Sequence, residues 1–197
     1  MELILVRHGL PVREELETGR ADPPLSETGM AQAERVARWL ADAPVHAVYS
    51  STMLRARQTA QPYAAAIGLE VVERDGIAEF DRHESSYVPL EELKAEDPEA
   101  WRAFVAGGYN EQVDIHQFHA EVVNSLEKLI AAHSGQRIAV FCHGGVINVW
   151  TAHVIGITPR LFFEPAYTSI HRFLCARSGQ RNLVSLNETG HLRAPIA

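Results

Sequence analysis

Two short apolar runs, each ending at a histidine followed by glycine, constrain the fold of this 197-residue chain most strongly. Residues 3–6 are followed by Arg-His-Gly at 7–9, and residues 137–142 are followed by His-Gly at 143–144. Continuous apolar runs with β-branched members predict strands that are covered on both faces, as in a parallel sheet. Because parallel sheets carry their sites beyond the carboxyl ends of the strands, both histidines are expected at one edge of the sheet.

Along the rest of the chain, segments with the pattern of a β-strand alternate with segments with the pattern of an α-helix. Strands are predicted at 45–49, 69–72, 168–176 and 182–186. Two helices are predicted by their ranges, one over 50–68 and one over 89–106 with a division at Pro98. Three more are predicted by their first residues, namely after a cap at Ser26 or Thr28, after a cap at Asp114, and from Gly144. This alternation predicts an α/β fold, namely a three-layer α/β/α sandwich with a mainly parallel central sheet. We expect one domain over residues 1–197.

Charge and composition limit the partners of the chain. The net charge of −7 argues against nucleic acid, which requires a basic surface, although local cations can still form an anion site. The two cysteines, Cys142 and Cys175, are too few for a disulfide scaffold. The apolar start is too short for a signal-peptide core or a membrane span, so we expect no membrane association and a cytoplasmic location.

Two further segments bring charged side chains toward the same predicted sheet edge. The stretch SSTMLRARQTA follows the strand at 45–49 and opens a helix, so that Arg55 can reach the edge. The stretch GIAEFD places Glu79 in the loop after the strand at 69–72. A guanidinium matches two phosphate oxygens, a helix that starts at Gly144 directs free N–H groups at an anion, and a carboxyl can protonate a leaving oxygen. These residues predict an anion pocket with an acid.

Taken in order, these motifs resemble those of the histidine phosphatase superfamily, in its phosphoglycerate-mutase-like branch (branch 1). Arg-His-Gly at 7–9 resembles the family's opening motif, and DPPLSETGMAQA resembles the stretch that leads into its first helix. SSTMLRARQTA resembles its Ser-x-x-x-Arg-Ala-x-x-Thr-Ala segment, so that Arg55 matches the phosphate-binding arginine. Glu79 lies where the family keeps its acid, and VFCHGGVI resembles the second histidine motif. The resemblance extends over nearly the whole chain.

The resemblance implies a metal-independent phosphatase that acts on a small phosphorylated substrate, a phosphomonoester. His8 would attack phosphorus and become a phosphohistidine, which divides one hard step into two easier ones. Glu79 would protonate the leaving alcohol and then assist the attack of water. The phosphoryl oxygens would be bound by Arg7, Arg55, His143 and Gly144. No metal and no other cofactor is implied, because the arginines supply the positive charge.

Some residues allow a second interpretation. Cys142 precedes the second histidine and could suggest a thiol mechanism, but neighbours in a strand face opposite sides, so we expect Cys142 in the core. His116 and His119 have the spacing of zinc ligands on a helix, yet solvent-exposed histidines are the simpler interpretation. Arg57 could bind the phosphate instead of Arg55. The two lie about 200° apart around the helix, so they should not both enter one pocket.

Two departures from the family leave the contacts to the leaving group open. Many members have an acidic or polar residue after Arg-His-Gly and then an asparagine, whereas this chain has LPVR at 10–13. Many continue after the acid with a Gly-Trp-Gly pattern, whereas this chain has DRHE at 81–84, within a substrate-facing insertion that we expect around 80–117. Candidate contacts to an anionic substrate are Arg13, Arg20, Arg82, His83 and His171. A structural role for His171 is equally compatible with the sequence.

Three functions are compatible with the motifs. A phosphatase is preferred because mutases of this branch tend to be longer, with larger closing segments. A phosphoglycerate-type mutase would have to preserve the phosphohistidine and retain its intermediate. A non-catalytic domain that binds a phosphorylated ligand is the third, although the residue types for catalysis are all present. The apolar C-terminal strands could supply the edge of a homodimer.

Overall fold

A six-stranded sheet forms the centre of the computed structural model, which describes residues 1–105 and 113–193. The strands are β1 (Glu2–Arg7), β2 (Glu14–Glu15), β3 (Ala47–Ser51), β4 (Val71–Arg74), β5 (Ser86–Tyr87), β6 (Arg137–Cys142), β7 (Ile170–Cys175) and β8 (Arg181–Glu188). The helices are α1 (Glu27–Leu40), α2 (Leu54–Ala66), α3 (Leu90–Glu96), α4 (Pro98–Val105), α5 (Ile115–Ala132), α6 (Gly144–Ile155) and α7 (Gly190–Arg193). A 3₁₀ turn covers Asp75–Ile77.

The strand order places the two histidine motifs side by side. The order is β4-β3-β6-β1-β7-β8, in which β4, β3, β6 and β1 run parallel and β7 and β8 are antiparallel additions. The register of β1 and β6 pairs Arg7 with Cys142. His8 and His143, the next residues in each chain segment, therefore leave the sheet together at one edge.

Two hydrophobic cores, one on each face of the sheet, make the fold three layers thick. Leu3 and Leu5 pack with α5 and α6, whereas Ile4 and Val6 pack with α1 and α2. The continuous apolar run of β1 is explained by this arrangement, because successive side chains point into opposite cores. The predicted α/β/α sandwich with a mainly parallel sheet is confirmed.

Local signals account for the helix boundaries. Ser26 caps α1 and Asp114 caps α5, each through a side-chain oxygen that accepts backbone N–H groups. Pro98 begins α4 directly after α3 has ended, which confirms the predicted division. The strands β2 and β5 were not predicted; they pair with each other, but two residues carry no measurable periodicity.

The segment after β4 leaves the sheet and contains β5, α3 and α4 before the chain returns at α5. The insertion predicted around 80–117 falls on this segment, and its residues 106–112 lie outside the described residues. Its role toward a substrate and the single-domain organisation stay predictions. In the described ranges, no helix has the length and apolar composition needed to cross a membrane.

Candidate active site

His8 follows β1, and its ring is fixed in one tautomer. Its Nδ1 lies 2.7 Å from the carbonyl oxygen of Gly9. Because a carbonyl only accepts, Nδ1 carries the proton and Nε2 retains its lone pair. Burial, followed by the charges of Arg55 and Arg7, holds the pKa of His8 well below its usual value. His8 therefore presents a neutral, oriented nitrogen.

The loop after His8 is fixed between two helices. The N–H of Gly9 donates to Thr59 Oγ1 at 2.9 Å, and the Thr59 hydroxyl donates to the carbonyl of Arg55 at 2.7 Å. A Cβ at position 9 would lie 2.6 Å from the carbonyl oxygen of Gly29 in α1. Only glycine lets the backbones approach so closely, which explains the glycine after the histidine.

Arg7 and Arg55 are buried arginines, 4% and 1% exposed, whose guanidinium groups are only partly satisfied. Arg7 lies 4.0 Å over the ring of Tyr167, and Arg55 lies 4.5 Å over the ring of Tyr87. Arg55 Nη2 donates to Asp81 at 3.1 Å. Arg7 Nε, Arg55 Nε and Arg55 Nη1 have no hydrogen-bond partner among the described residues. Buried donors without a partner are costly, so this arrangement favours a bound anion.

His143, the N-cap of α6, adds a further unpaired nitrogen. Its ring centroid lies 5.1 Å from that of His8. Its Nε2 lies 2.8 Å from Ser51 Oγ, which also accepts the N–H of Met53 at 3.1 Å. Its Nδ1 is a buried atom without a partner among the described residues. Burial, followed by Arg55, holds the pKa of His143 well below its usual value.

Glu79 is a buried carboxyl group at the N-terminus of α6. Its Oε2 accepts the N–H of Gly145 at 2.8 Å, and its Oε1 accepts the N–H of Phe80 at 3.2 Å. Burial, followed by the nearby Asp81 carboxylate, raises the pKa of Glu79 to about 7. A group with this pKa can donate a proton at neutral pH and accept one later.

Gly145→Ala is expected to lower activity strongly, because the added Cβ would lie 2.2 Å from Glu79 Oε1 and 2.8 Å from the ring of Phe80. The carboxyl group must then move away from the helix N-terminus. Steady-state kinetics should show a loss of about tenfold or more in kcat, by analogy with a misplaced general acid. Gly144→Ala is the matched comparison, since its Cβ would meet Arg7 Nε only at 3.7 Å. Equal losses in the two variants would contradict the explanation.

A cavity of about 320 Å³ opens on these groups. Its wall contains the predicted catalytic and phosphate-binding residues Arg7, His8, Arg55, Glu79 and Gly144, together with side chains from β5, α3, α4 and the 161–165 loop. His143 is fully buried beside His8 and is not itself in the wall. The anionic head of a ligand and the groups that would act on it can thus share one space.

The residues predicted to contact an anionic substrate lie elsewhere. None of the five candidates is in the wall of the cavity. Arg13 forms surface ion pairs with Glu15 and Glu96, while Arg20 and His83 are exposed. Long cationic side chains on a surface stay in water or pair with nearby carboxylates. Nearness to a motif in sequence therefore did not bring these residues into the cavity wall.

Arg82 and His171 have structural contacts. Arg82 Nη2 donates to Glu121 of α5 at 2.8 Å, which ties the loop after Glu79 to that helix. His171 is fully buried in β7, where its Nε2 lies 2.9 Å from Ser169 Oγ and its Nδ1 accepts the N–H of Asn187. Burial lowers the pKa of His171 to about 3, so its ring stays neutral. These contacts match the structural interpretation of His171.

The alternative chemistries find little support in the geometry. Cys142 is fully buried, and burial raises the pKa of its thiol. Arg57 is half-buried outside the cavity wall and pairs with Glu73, whereas Arg55 is buried in the wall. His116 is exposed, and over residues 1–105 and 113–193 no three His, Cys, Asp or Glu side chains converge as metal ligands would.

Sequence reasoning missed several residues that hold the site. Ser51 ends β3, the neighbour of β6, so the strand-end argument that located the histidines could have located it as well. Tyr87, Tyr167 and Asn148 carried no such signal, because their contacts join segments far apart in the chain. Asn148 Nδ2 donates to the carbonyls of Gly144 and Phe163, and its Oδ1 accepts the N–H of Phe162.

The geometry defines an α/β protein with an oriented histidine in a cationic cavity. Comparison with known proteins is consistent with this class. Residues 3–189 match the sequence profile of the histidine phosphatase superfamily (branch 1), and the chain belongs to this superfamily.

Two relatives and one solved structure illustrate the similarity. Phosphoglycerate mutase-like protein 4 of Arabidopsis thaliana is 33% identical over 158 residues, which cover 75% of this chain and 68% of that protein. Phosphoserine phosphatase 1 of Hydrogenobacter thermophilus is 30% identical over 206 residues, 98% of this chain and 94% of that protein. A mutant of phosphoserine phosphatase from Entamoeba histolytica, solved in complex with phosphoserine, has a TM-score of 0.76 at 25% identity; the match covers 97% of this chain and 98% of that one.

Proposed function

We propose that this protein is a phosphatase that hydrolyses a small phosphomonoester through a phosphohistidine on His8. The tautomer of His8 is the observation that carries the proposal: Nδ1 is bound to Gly9 O, which leaves Nε2 with a free lone pair. This nitrogen shares a cavity wall with Arg7 and Arg55, whose unpaired N–H groups are suited to phosphoryl oxygens. Membership of the superfamily and the phosphoserine phosphatases among the relatives support the same activity.

In the first step, the lone pair of His8 Nε2 forms a bond to phosphorus while the ester P–O bond breaks. The electron pair of that bond stays with the leaving oxygen, which takes the proton of the Glu79 carboxyl, and the alcohol departs. Arg7, Arg55, His143 and the N–H of Gly144 would bind the three remaining phosphoryl oxygens. Such preorganised donors act where negative charge accumulates in the transition state.

In the second step, water attacks phosphorus as the N–P bond breaks. The Glu79 carboxylate accepts a proton from the water, inorganic phosphate leaves, and the lone pair returns to His8 Nε2. Glu79 is then protonated and His8 neutral, as at the start, so the cycle closes. The positive charge needed at the phosphoryl group is supplied by Arg7 and Arg55, which is why we propose an activity independent of metal.

Hydrolysis of a phosphomonoester panel in the presence of a chelator tests the proposal. Release of inorganic phosphate that requires no added metal is the expected result. Transfer of the phosphoryl group to an alcohol instead of water would indicate a mutase, and binding of phosphate without turnover would indicate a ligand-binding domain. Either of these two results would refute the proposal. The cytoplasmic location and the homodimer stay predictions from the sequence.

The raised pKa of Glu79 predicts a pH dependence. Phosphohistidine formation from an alkyl ester should fall about tenfold per pH unit above pH 7, as Glu79 loses the proton that the alcohol needs. The low pKa of His8 keeps its nucleophile neutral over this range. Asp81→Asn removes a charge that raises the pKa of Glu79, so the decline should begin at lower pH. Rapid-quench measurements of the rate of phosphohistidine formation across the pH range test this shift, with Glu70→Gln, at an exposed residue, as the control. If Asp81→Asn left the pH dependence of phosphohistidine formation unchanged, the role of Glu79 as the titrating acid would be contradicted.

A further inference from the structure

The cavity wall beyond the phosphate-binding groups is mostly apolar. Seven apolar side chains that line it are half-buried: Phe80, Val88, Leu93, Trp101, Leu161, Phe162 and Phe163. Half-buried apolar side chains that converge on one concave surface leave area for a ligand to cover. Covering this area is favourable only for a ligand that brings apolar surface of its own.

The charges of the wall disfavour a second anionic group. Among the described residues, the cations in the wall are Arg7 and Arg55, which are assigned to the phosphoryl group. Besides Glu79, which holds a proton when the substrate binds, its acidic groups are Asp81 and Glu164. A carboxylate on the leaving alcohol would lose its water without finding a third cation in the wall, and it would approach like charges.

The apolar wall is fixed relative to the phosphate-binding groups. Asn148 of α6 donates to the carbonyls of Gly144 and Phe163 at 2.9 and 3.0 Å, and its Oδ1 accepts the N–H of Phe162 at 2.9 Å. Arg7 Nη1 donates to the carbonyl of Pro165 at the end of the same loop. The loop that carries three of the seven apolar side chains is therefore held by the helix and the arginine that face the phosphoryl group. A wall fixed in this way can select among leaving groups by shape.

We infer that this chain selects phosphomonoesters of apolar, ring-bearing alcohols and discriminates against alcohols that carry a carboxylate. The inference rests on the proposed function and names its substrate class. The chemistry is unchanged: the ester P–O bond breaks, and the ring-bearing alcohol leaves with the proton from Glu79. The ring would cover Phe162 and its neighbours, while the oxygen of the alcohol faces Glu79.

Four alkyl esters with similar leaving oxygens separate the two requirements: 2-phenylethyl phosphate, ethyl phosphate, O-phosphoserine and 3-phosphoglycerate. We expect kcat/KM for 2-phenylethyl phosphate to exceed that for ethyl phosphate by about tenfold or more, and those for the two carboxylate esters by about a hundredfold. Phe162→Ala should lower kcat/KM for 2-phenylethyl phosphate about tenfold more than for ethyl phosphate. Ile155→Ala, on an exposed side chain outside the wall, should change neither.

A gain of charge provides the converse test. Glu164→Arg replaces a carboxylate of the wall by a cation, and should raise kcat/KM for 3-phosphoglycerate relative to 2-phenylethyl phosphate by about tenfold. Hydrolysis of O-phosphoserine or 3-phosphoglycerate by the wild type at rates equal to that of 2-phenylethyl phosphate would overturn the inference and leave the phosphatase function standing. Absence of His8-dependent hydrolysis for all four esters would overturn both.

Discussion

His8→Ala is expected to reduce phosphate release to the rate observed without enzyme. The variant removes the nitrogen that forms the bond to phosphorus, and no other described group in the cavity wall is placed to replace it. The thiol of Cys142 is fully buried and its pKa is raised, so it offers no thiolate. His143 lies outside the cavity wall, and its Nε2 is engaged with Ser51 Oγ at 2.8 Å.

Steady-state release of inorganic phosphate measures this effect. His83→Ala is the control, because His83 is an exposed histidine outside the cavity wall and should retain wild-type activity. Thermal unfolding of both variants checks that each remains folded. Activity of His8→Ala above about one per cent of wild type would be incompatible with a nucleophilic His8, since losing a nucleophile costs several orders of magnitude.

Arg55→Ala is expected to lower kcat/KM by about a hundredfold to a thousandfold, as for the loss of a preorganised oxyanion donor. Arg55 is 1% exposed, and its Nε and Nη1 have no partner among the described residues, so both can bind phosphoryl oxygens. Its removal also leaves Asp81 without its ion pair beside Glu79. The unpaired charge would further raise the pKa of Glu79.

Arg57→Ala is the matched control for Arg55→Ala. Arg57 lies two residues further along α2, but it is half-buried, is absent from the cavity wall and pairs with Glu73. It should retain wild-type kcat/KM. Arg55→Lys should recover only part of the loss, because an ammonium supplies charge without the planar pair of donors. If Arg55→Ala and Arg57→Ala had the same kcat/KM, the phosphate-binding role of Arg55 would be wrong.

The positions of the two histidines could be predicted because they depend on strong, local patterns. The apolar runs of β1 and β6 predict buried parallel strands, and the residues beyond the carboxyl ends of parallel strands meet at one edge of the sheet. The two rings do lie 5.1 Å apart. Helix geometry likewise separated Arg55 from Arg57 correctly, because residues two positions apart on a helix point in nearly opposite directions.

The surroundings of the phosphate-binding groups could not be predicted in the same way. Tyr87 and Tyr167 lie against the two arginines from distant loops, and no periodicity marks such contacts. The candidates for substrate contacts were chosen for their charge and their nearness to motifs in sequence. Arg13 and Arg82 instead form ion pairs with glutamates outside the cavity wall, which the sequence has no means of indicating.

Detection of a phosphoryl group on His8 tests the central claim most directly. The enzyme is mixed with a reactive phosphomonoester, quenched within the first turnover under alkaline conditions that preserve phosphohistidine, and digested for mass spectrometry. The account predicts an acid-labile phosphoryl group on the peptide that contains His8, formed before phosphate is released. Phosphate release with no modification of His8 at any time during turnover would contradict it.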